Sequence, residues 1–452
     1  MQTLRSQDDL RLEISNRQIL KMALPITLAM LVPQINFIAN NIFISGIGET
    51  ELGTAGITGV YYLVFALVGN GLNAGIQGLI ARRAGENRPR EIGRIFGQAQ
   101  WIAVFFAMSG ILITFLVAPY FLASTIHSPE VRDQAQDFLR IRIWGLPFLY
   151  LFQTGNALLV GTNHSRYMKY GFATMAGANI FLDYVLIYGK WGFPELGFQG
   201  AAVASVIAEF IGASLVFIII FGKQFHRRFS IFRRFGYEGS LVRLIFVQSS
   251  PLVAQWIISV GAWLLFYILI EHKGERPLAI SNAMRNVFGL FGIFVWAFAS
   301  TSNAMVSNII GQGLRNQVSH LIKKIAFLSF AFTFLLCSLI NLAPAVFLEV
   351  YGRGQNFVQD ALPVIRMVTL GMLCMSIATV WLNGVTGTGN TRVNLMIEIA
   401  AISVYTLYVW LVLKVWNLSL VWAWFSEVIY WLSLFILSWL YIRSGRWRKK
   451  VL

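Results

Sequence analysis

Two polar side chains in an otherwise apolar stretch have the types and spacing of an ion or proton site. Asn179 and Asp183 lie four residues apart in NIFLDYVLIYG, so a helix would place both on one face. Asp183 is the only one of six aspartates that falls inside an apolar run. A carboxylate near the centre of a membrane helix costs about 2.5–3.5 kcal/mol on insertion scales. Its presence there predicts that a cation or a proton binds to it.

Two further oxygen-bearing side chains are expected at a similar depth. Counting about 1.5 Å of rise per helical residue, Asn40 on the first apolar run and Ser205 on the sixth reach the same outer part of the bilayer as Asn179 and Asp183. Oxygen ligands suit hard cations such as Na⁺, and a buried carboxylate also suits a proton. The alternative is a hydrogen-bonded cluster between helices that binds no ion.

The composition places these residues in a membrane protein. Of the 452 residues, 57% are hydrophobic and only 12% are charged, whereas soluble domains are about a quarter charged. Runs of about 20 apolar residues suffice to cross a bilayer. The sequence therefore predicts an all-α polytopic membrane protein. Twelve spans are predicted, at 19–47, 52–80, 96–121, 138–161, 167–188, 200–221, 242–270, 279–310, 320–347, 362–385, 394–413 and 418–441.

The positive charge is explained by membrane orientation. The net charge is +16, and its basic residues fall in alternate loops, for example Arg82 and Arg83, Arg233 and Arg234, and 443–450. This positive-inside pattern predicts that both termini are cytoplasmic, and it removes the reason to expect a nucleic-acid partner. The two cysteines lie within apolar runs, and residues 1–18 do not resemble a cleaved signal peptide. A bacterial-type inner membrane is the expected location.

The chain is a tandem repeat. An offset of 226 residues (251 − 25) aligns Pro25 with Pro251, Arg140 with Arg366 and Gly161 with Gly387. Each copy has six spans, which predicts two six-helix bundles related by a pseudo-two-fold axis along the membrane normal, as in parallel-repeat transporters. The expected layout is a cytoplasmic segment (1–18), an N-lobe (19–221), a cytoplasmic linker (222–241), a C-lobe (242–441) and a basic tail (442–452).

The two copies differ where the polar pair lies. The offset aligns Asp183 with Val409, so the cation site is expected only in the N-lobe. Five other polar residues in the spans are candidates for a substrate cavity: Gln34, Gln153, Glu209, Arg285 and Glu427. Glu209 and Glu427 are equally compatible with structural hydrogen bonding, and Arg285 with pairing to a carboxylate. Glu398 is expected at the interface, near the cytoplasmic end of its helix.

These motifs resemble those of the multidrug and toxic compound extrusion (MATE) family over nearly the whole chain. The resemblance implies antiport of organic compounds, expected to be cationic and amphipathic, against Na⁺ or H⁺ by alternating access. It also implies that the cation site of the N-lobe includes Asn179, Asp183 and Ser205. The motifs are LPITLAMLVPQINFIANNIFISGIGETELGTAGI (Leu24–Ile57), IARRAGENRPREIG (Ile80–Gly93), GTNHSRY (Gly161–Tyr167), NIFLDYVLIYG and GFQGAAVAS.

Two positions depart from the family pattern. The family places an aspartate where this chain has Asn40, and some members have a glutamate on the seventh helix where this chain has about Ser259. Proton coupling through a pair of close carboxylates is therefore not expected. Asp183 alone would neutralise one Na⁺, or bind one proton through burial; the departure is equally compatible with weak or no ion coupling.

Two other functions are considered. A flippase for lipid-linked saccharides should hold pyrophosphate with several Arg or Lys, and the spans offer mainly Arg285. A metal-dependent membrane enzyme needs clustered carboxylates, and no second aspartate occupies a span. No phosphate-binding Gly-rich loop is present, so ATP is not the expected energy source. We expect a monomeric transporter in the lipid bilayer, not an enzyme, with a small organic substrate and no cofactor besides the coupling ion.

Overall fold

The computed structural model describes residues 10–231, 236–349 and 354–450. In these ranges twelve helices are long and apolar enough to cross a membrane. This confirms the all-α polytopic fold and the number of spans. We number the helices α1 to α12 in chain order: Asn16–Ser45, Glu49–Gly85, Pro89–Thr125, Pro129–Gly161, Ser165–Ile187, Gly197–Gly222, Gly239–Glu271, Glu275–Gly311, Arg315–Leu342, Asn356–Gly387, Thr391–Val415 and Leu420–Ser444.

Charge and proline set the ends of the early helices. The first turn of α2 carries Glu49 and Glu51, and its last turn carries Arg82 and Arg83. Acidic groups at the start of a helix and basic groups at its end both interact favourably with the helix dipole. Helix α3 begins at Pro89, whose fixed φ and missing N–H suit the first helical turn. The helices therefore extend beyond their apolar centres into polar ends.

The chain forms two compact units. The N-unit is Leu28–Val253, and the C-unit consists of the described residues up to Thr27 together with those from Ala254 onward. The two boundaries between the units, after Thr27 and after Val253, are equivalent positions of the repeat, because the 226-residue offset aligns Thr27 with Val253. The first part of α1 thus belongs to the C-unit, and the first part of α7 to the N-unit. The lobe boundaries at 19–221 and 242–441 remain predictions. The described residues include only part of the segment 1–18, of the linker 222–241 and of the tail 442–452; Arg233 and Arg234 of the linker lie outside them.

The hairpin of α5 and α6 carries the predicted cation site. Its turn needs left-handed backbone, with φ of 61° at Gly189 and 82° at Gly192. Where the helices approach, a Cβ added at Gly200 would lie 2.7 Å from the backbone oxygen of Leu186. Only glycine allows this separation. A small residue at this position thus lets α6 pack closely on α5.

Helix α4 is interrupted in its interior. A 3₁₀ turn at Ile143–Gly145 separates the α-helical part Pro129–Arg142 from the part Leu146–Gly161. A side chain at Gly145 would overlap the carboxylate of Glu209 and the guanidinium of Arg142. The interruption and the missing Cβ make room for a pair of buried charged side chains, described below.

In the C-unit, the chain that precedes α1 packs on the end of α8. The amide of Asn308 accepts a hydrogen bond from the backbone N–H of Leu12 at 3.0 Å and donates one to the carbonyl of Leu10 at 3.1 Å. Gln312 donates to the carbonyl of Leu12 at 2.9 Å. The side chains of Leu10 and Leu12 are buried. This extended segment is thus held by both side-chain amides and apolar contact.

Candidate functional site

Asp183 lies on α5 in the interior of the N-unit. Its side chain is 0% exposed. Its Oδ2 atom accepts a hydrogen bond from Nδ2 of Asn179 at 3.1 Å, one turn earlier on the same helix. The other carboxylate oxygen, Oδ1, is buried and has no hydrogen-bond partner among the described residues. The predicted pair therefore lies on one helical face, with one oxygen of Asp183 left unsatisfied.

Two asparagines of α1 extend this pair. Oδ1 of Asn179 accepts hydrogen bonds from Nδ2 of Asn36 at 2.8 Å and from Nδ2 of Asn40 at 3.4 Å. Asn36 and Asn40 are themselves one turn apart on α1. Each turns its own Oδ1 into a buried position without a partner in the part of the chain that the structure describes. We call Asn36, Asn40, Asn179 and Asp183 the Asn–Asp cluster.

The oxygen atoms of the Asn–Asp cluster would suit one positive charge. Buried polar atoms are nearly always satisfied in folded proteins, so three unsatisfied oxygens in one cluster require an explanation. Two are amide oxygens and one belongs to a carboxylate. This set matches the oxygen ligands that hard cations prefer, and a proton on Asp183 would also remove its charge. No described cationic side chain forms an ion pair with Asp183.

Ser205, the fourth residue predicted for the site, is half-buried on α6. Among the described residues its hydroxyl makes no hydrogen bond, and the structure does not link it to the Asn–Asp cluster. Asn36 was not predicted. Its spacing of four from Asn40 was a signal that the sequence contained, because both lie on one face of a helix that already carried a candidate ligand.

Glu209 forms a buried ion pair with a residue that the sequence reasoning missed. The guanidinium of Arg142 contacts both carboxylate oxygens, with Nη2–Oε1 at 2.6 Å and Nη1–Oε2 at 2.9 Å. The hydroxyl of Tyr62 lies 3.2 Å from each oxygen, and the guanidinium stacks 3.7 Å from the centre of the Tyr62 ring. An arginine inside the fourth predicted span was the available signal, because a charge in such a position usually has a partner.

The two glutamines proposed for a cavity differ in their surroundings. Gln153 on α4 donates from Nε2 to Oδ1 of Asn70 at 3.1 Å, and its Oε1 is buried without a partner in the described chain. Gln34 is half-buried on α1, two residues before Asn36. Gln153 is therefore a member of a polar contact between α2 and α4. A cavity role for either residue remains a prediction.

In the C-unit, Arg285 and Glu427 lie on α8 and α12. Arg285 is exposed and its guanidinium lies 5.7 Å from the ring centre of Tyr267. Glu427 is buried and accepts a hydrogen bond from the indole N–H of Trp431 at 3.0 Å. The structure does not pair the two residues, and their roles in binding substrate remain predictions.

Glu398 lies near the start of α11, the end expected to be cytoplasmic, and it is buried among the helices of the C-unit. It is 1% exposed. Its position at the membrane interface remains a prediction. Its carboxylate accepts hydrogen bonds from Ser259 at 2.7 Å, from Gln255 at 3.1 Å and from the hydroxyl of Tyr430. Ser259, where some members of the MATE family have a glutamate, thus contacts a glutamate that comes from α11. Packing of α7, α11 and α12 buries Glu398, which distance from the helix end alone did not predict.

In the described residues, twelve helices long and apolar enough to cross a membrane and a buried carboxylate with an unsatisfied oxygen are the features of a polytopic membrane transporter. A family model described as MatE matches residues 25–185 and again residues 251–412. The chain belongs to the MatE family. The two matches begin at the two residues that the 226-residue offset aligns, Pro25 and Pro251, which confirms the tandem repeat.

Curated relatives and solved structures agree with this membership. A probable multidrug resistance protein NorM from Thermotoga maritima is 22% identical over 440 residues, which cover 96% of this chain and 93% of that protein. A protein of the same name from Synechocystis sp. is 23% identical over 66% of this chain and 64% of its own length. A MOP superfamily transporter from Pyrococcus furiosus superposes with a TM-score of 0.89 at 16% identity, covering 100% of both chains. That likeness shows the fold.

Proposed function

We propose that this protein is a secondary active antiporter that exports organic compounds in exchange for Na⁺ or H⁺ by alternating access. The observation that carries the proposal is the Asn–Asp cluster, in which the carboxylate of Asp183 is fully buried and has one oxygen without a partner. The names of the relatives from Thermotoga and Synechocystis, probable multidrug resistance proteins, support drug-like substrates.

The cost of burying Asp183 explains why the site should take a coupling ion. An ionised carboxylate inside the membrane is unfavourable unless a positive charge compensates it. Within the Asn–Asp cluster, the carboxylate receives a hydrogen bond from the neutral amide of Asn179. The guanidinium of Arg142 contacts both carboxylate oxygens of Glu209, and among the described residues it forms no ion pair with Asp183. One Na⁺ or one proton would neutralise Asp183, so binding of either ion stabilises the cluster.

The contact between α1 and α5 links ion binding to a conformational change. The cluster joins these helices only through the hydrogen bonds from Asn36 and Asn40 to Asn179. An ion that takes amide oxygens of α1 and the carboxylate of α5 as ligands binds more tightly when both helices are in place. Such a difference in affinity between two states is what shifts a conformational equilibrium. Pro25 and Pro33 lie within α1 and weaken its backbone hydrogen bonding, which favours bending.

The expected substrates are cationic, amphipathic organic compounds. Aromatic side chains of the C-unit support this, since Trp263 and Tyr267 lie 4.9 Å apart by ring centres and Trp256 and Trp296 lie 5.2 Å apart. Aromatic faces bind flat organic cations through stacking and cation–π contact. Gln34, Gln153, Glu209, Arg285 and Glu427 are the candidate polar residues for this step.

A flippase for lipid-linked saccharides is the second candidate, and the structure offers less for it. Pyrophosphate recognition needs several Arg or Lys free to bind it. Of the arginines discussed inside the spans, Arg142 is occupied by Glu209, and Arg285 is exposed and rests near Tyr267.

The alternation of basic loops described above supports cytoplasmic termini. We also propose that the protein is a monomer of the inner membrane. Labelling of cysteines introduced at 192 or 275 from the outside, and at 88 only from the inside, would support this topology; the reverse would contradict it.

The experiment that tests the antiport is transport in proteoliposomes. Purified protein is reconstituted with ethidium as the probe, and a Na⁺ gradient, a proton gradient or neither is imposed. We expect one of the two gradients to drive ethidium against its concentration, and ATP to have no effect. Dissipation of each gradient with a selective ionophore is the control. Equal ethidium movement with and without either gradient would contradict the antiport and leave a passive or lipid-directed function.

A further inference from the structure

Glu398 on α11 is a second buried carboxylate, and nothing in the proposed cation site uses it. Its side chain is 1% exposed. Three neutral donors surround it: the hydroxyls of Ser259 and Tyr430 contact Oε1, and the amide of Gln255 donates to Oε2 at 3.1 Å. Ser259 and Gln255 lie on α7, and Tyr430 lies on α12. Three helices of the C-unit therefore converge on one carboxylate.

No described positive charge compensates Glu398. Within the described chain no lysine, arginine or histidine forms an ion pair with it. The titratable groups around it are Tyr430 on α12, Tyr405 on α11, whose ring centre lies 5.6 Å from that of Tyr430, and Glu427 on α12. None of these is a cation, and α7 contributes only the neutral Gln255 and Ser259. The charge of an ionised Glu398 thus has to be balanced by something that binds.

The hydroxyl of Ser259 can form a hydrogen bond with Glu398 in both protonation states of the carboxyl group. Its Oγ lies 2.7 Å from Oε1 of Glu398 and 2.8 Å from the backbone oxygen of Gln255. A hydroxyl has one hydrogen, so it donates to one of these acceptors at a time. With Glu398 ionised, it donates to the carboxylate. With Glu398 protonated at Oε1, it donates to the Gln255 carbonyl and accepts the carboxylic hydrogen.

A second layer fixes the amide of Gln255. Asn394 donates to Oε1 of Gln255, and Oδ1 of Asn394 in turn accepts from the hydroxyl of Thr386 at 3.0 Å. Because Oε1 of Gln255 is an acceptor for Asn394, its Nε2 must face Glu398. The amide donor of Gln255 is therefore held in place, whereas the hydroxyl hydrogens of Ser259 and Tyr430 can turn.

We propose that Glu398 is a proton-binding site of the C-unit, separate from Asp183. Hydronium transfers a proton to Oε1 of Glu398: one O–H bond of hydronium breaks, one O–H bond forms on the carboxyl group, and water and a neutral acid result, while the Ser259 hydroxyl turns to the Gln255 carbonyl. A metal cation is disfavoured because Oε1 already receives two hydroxyl hydrogens, both of which would have to turn away. In transport, which rests on the proposed antiport, this site adds a proton to the exchange.

The test uses infrared difference spectroscopy of the purified protein in detergent between alkaline and acidic solution. A carboxylic acid that forms on acidification gives a carbonyl-stretch band that an ionised carboxylate lacks. We expect Glu398→Gln to lose one such band. The exposed Glu195→Gln is the matched control and should leave the buried-acid band unchanged. Asp183→Asn should also retain the Glu398 band, so failure of the antiport proposal does not decide this one.

Ser259→Ala gives a second, independent readout. It removes one hydrogen-bond partner of the carboxylic acid, so the Glu398 band should persist at a shifted frequency. The proposal is overturned if Glu398→Gln and wild-type protein give the same bands, or if the band appears without Na⁺ but not with it, which would indicate a Na⁺ site. If Glu398→Gln does not fold, an unshifted band in folded Ser259→Ala also overturns it.

Discussion

Nδ2 of Asn36 on α1 lies 2.8 Å from Oδ1 of Asn179 on α5, while Nδ2 of the same Asn179 donates to Asp183 at 3.1 Å. One side-chain amide thus connects α1 to the carboxylate that we propose as the binding site of the coupling ion. The amide of Asn179 is oriented by these two contacts, and it turns its donor toward the carboxylate. The position of α1 and the electrostatics of Asp183 are therefore linked through a single residue.

Replacement of Asn179 by alanine should weaken binding of the coupling ion without abolishing transport. The change removes the donor to Asp183 and the acceptor for Asn36 and Asn40, and neutral hydrogen bonds contribute about 0.5–1.5 kcal/mol each. We expect the ion concentration for half-maximal transport to rise about tenfold, which corresponds to about 1.4 kcal/mol. Asn341→Ala, which removes an amide bonded to Thr369 in the C-unit, is the control. Equal ion dependence in wild type and Asn179→Ala would contradict the link.

Asn40→Asp should make transport more steeply dependent on pH. Asn40 lies 3.4 Å from Asn179 and has an unsatisfied Oδ1, so an aspartate there adds a second carboxylate to the cluster. Two ionised carboxylates repel each other, and binding of one proton relieves the repulsion. The measurement is ethidium transport against pH, with and without Na⁺. Identical profiles for the two proteins would show that Asn40 does not belong to the ion site.

Arg142→Met should destabilise the protein far more than Arg140→Met. The first change leaves Glu209 buried without its partner, and breaking a buried ion pair costs about 3–5 kcal/mol. Arg140 pairs with Asp137 at 3.5 Å, and both side chains are about half exposed (55% and 50%). Exposed pairs contribute about 0–1 kcal/mol. Melting temperature in detergent is the readout, and Arg142→Met with Glu209→Gln should recover part of the loss. Similar losses for the two single variants would show that the buried pair is not structural.

Gly200→Ala should loosen the hairpin of α5 and α6, whereas Gly177→Ala on α5 should not. A Cβ at Gly200 would lie 2.7 Å from the Leu186 backbone oxygen, but one at Gly177 meets nothing within 4 Å. Overpacking costs about 1–3 kcal/mol, while alanine in a helix interior gains about 0.5–1 kcal/mol over glycine. The thermal stability of the two variants should therefore change in opposite directions. An unchanged or higher melting temperature for Gly200→Ala would refute the close contact.

Helical periodicity and hydropathy predicted those features of the fold and of the site that depend on a single helix. The twelve spans, the repeat, and the shared face of Asn179 and Asp183 all follow from local pattern. Which faces of different helices meet depends on packing. For that reason the contact of Asn36 with Asn179 and the burial of Glu398 against Ser259 were not predicted. The ion pair of Arg142 and Glu209 was predictable in part. The sequence shows that each charged residue lies within an apolar span, but it does not show that the two residues contact each other.

Gradient-driven ethidium transport by Asp183→Asn tests whether Asp183 binds the coupling ion. Asparagine keeps the size of the side chain and removes its charge, and the exposed Asp137→Asn is the matched control. We expect Asp183→Asn to fold and reconstitute like wild type but to move no ethidium in response to either gradient, while Asp137→Asn transports normally. Wild-type transport by well-folded Asp183→Asn would show that Asp183 does not bind the coupling ion and would reduce the Asn–Asp cluster to a structural contact between α1 and α5.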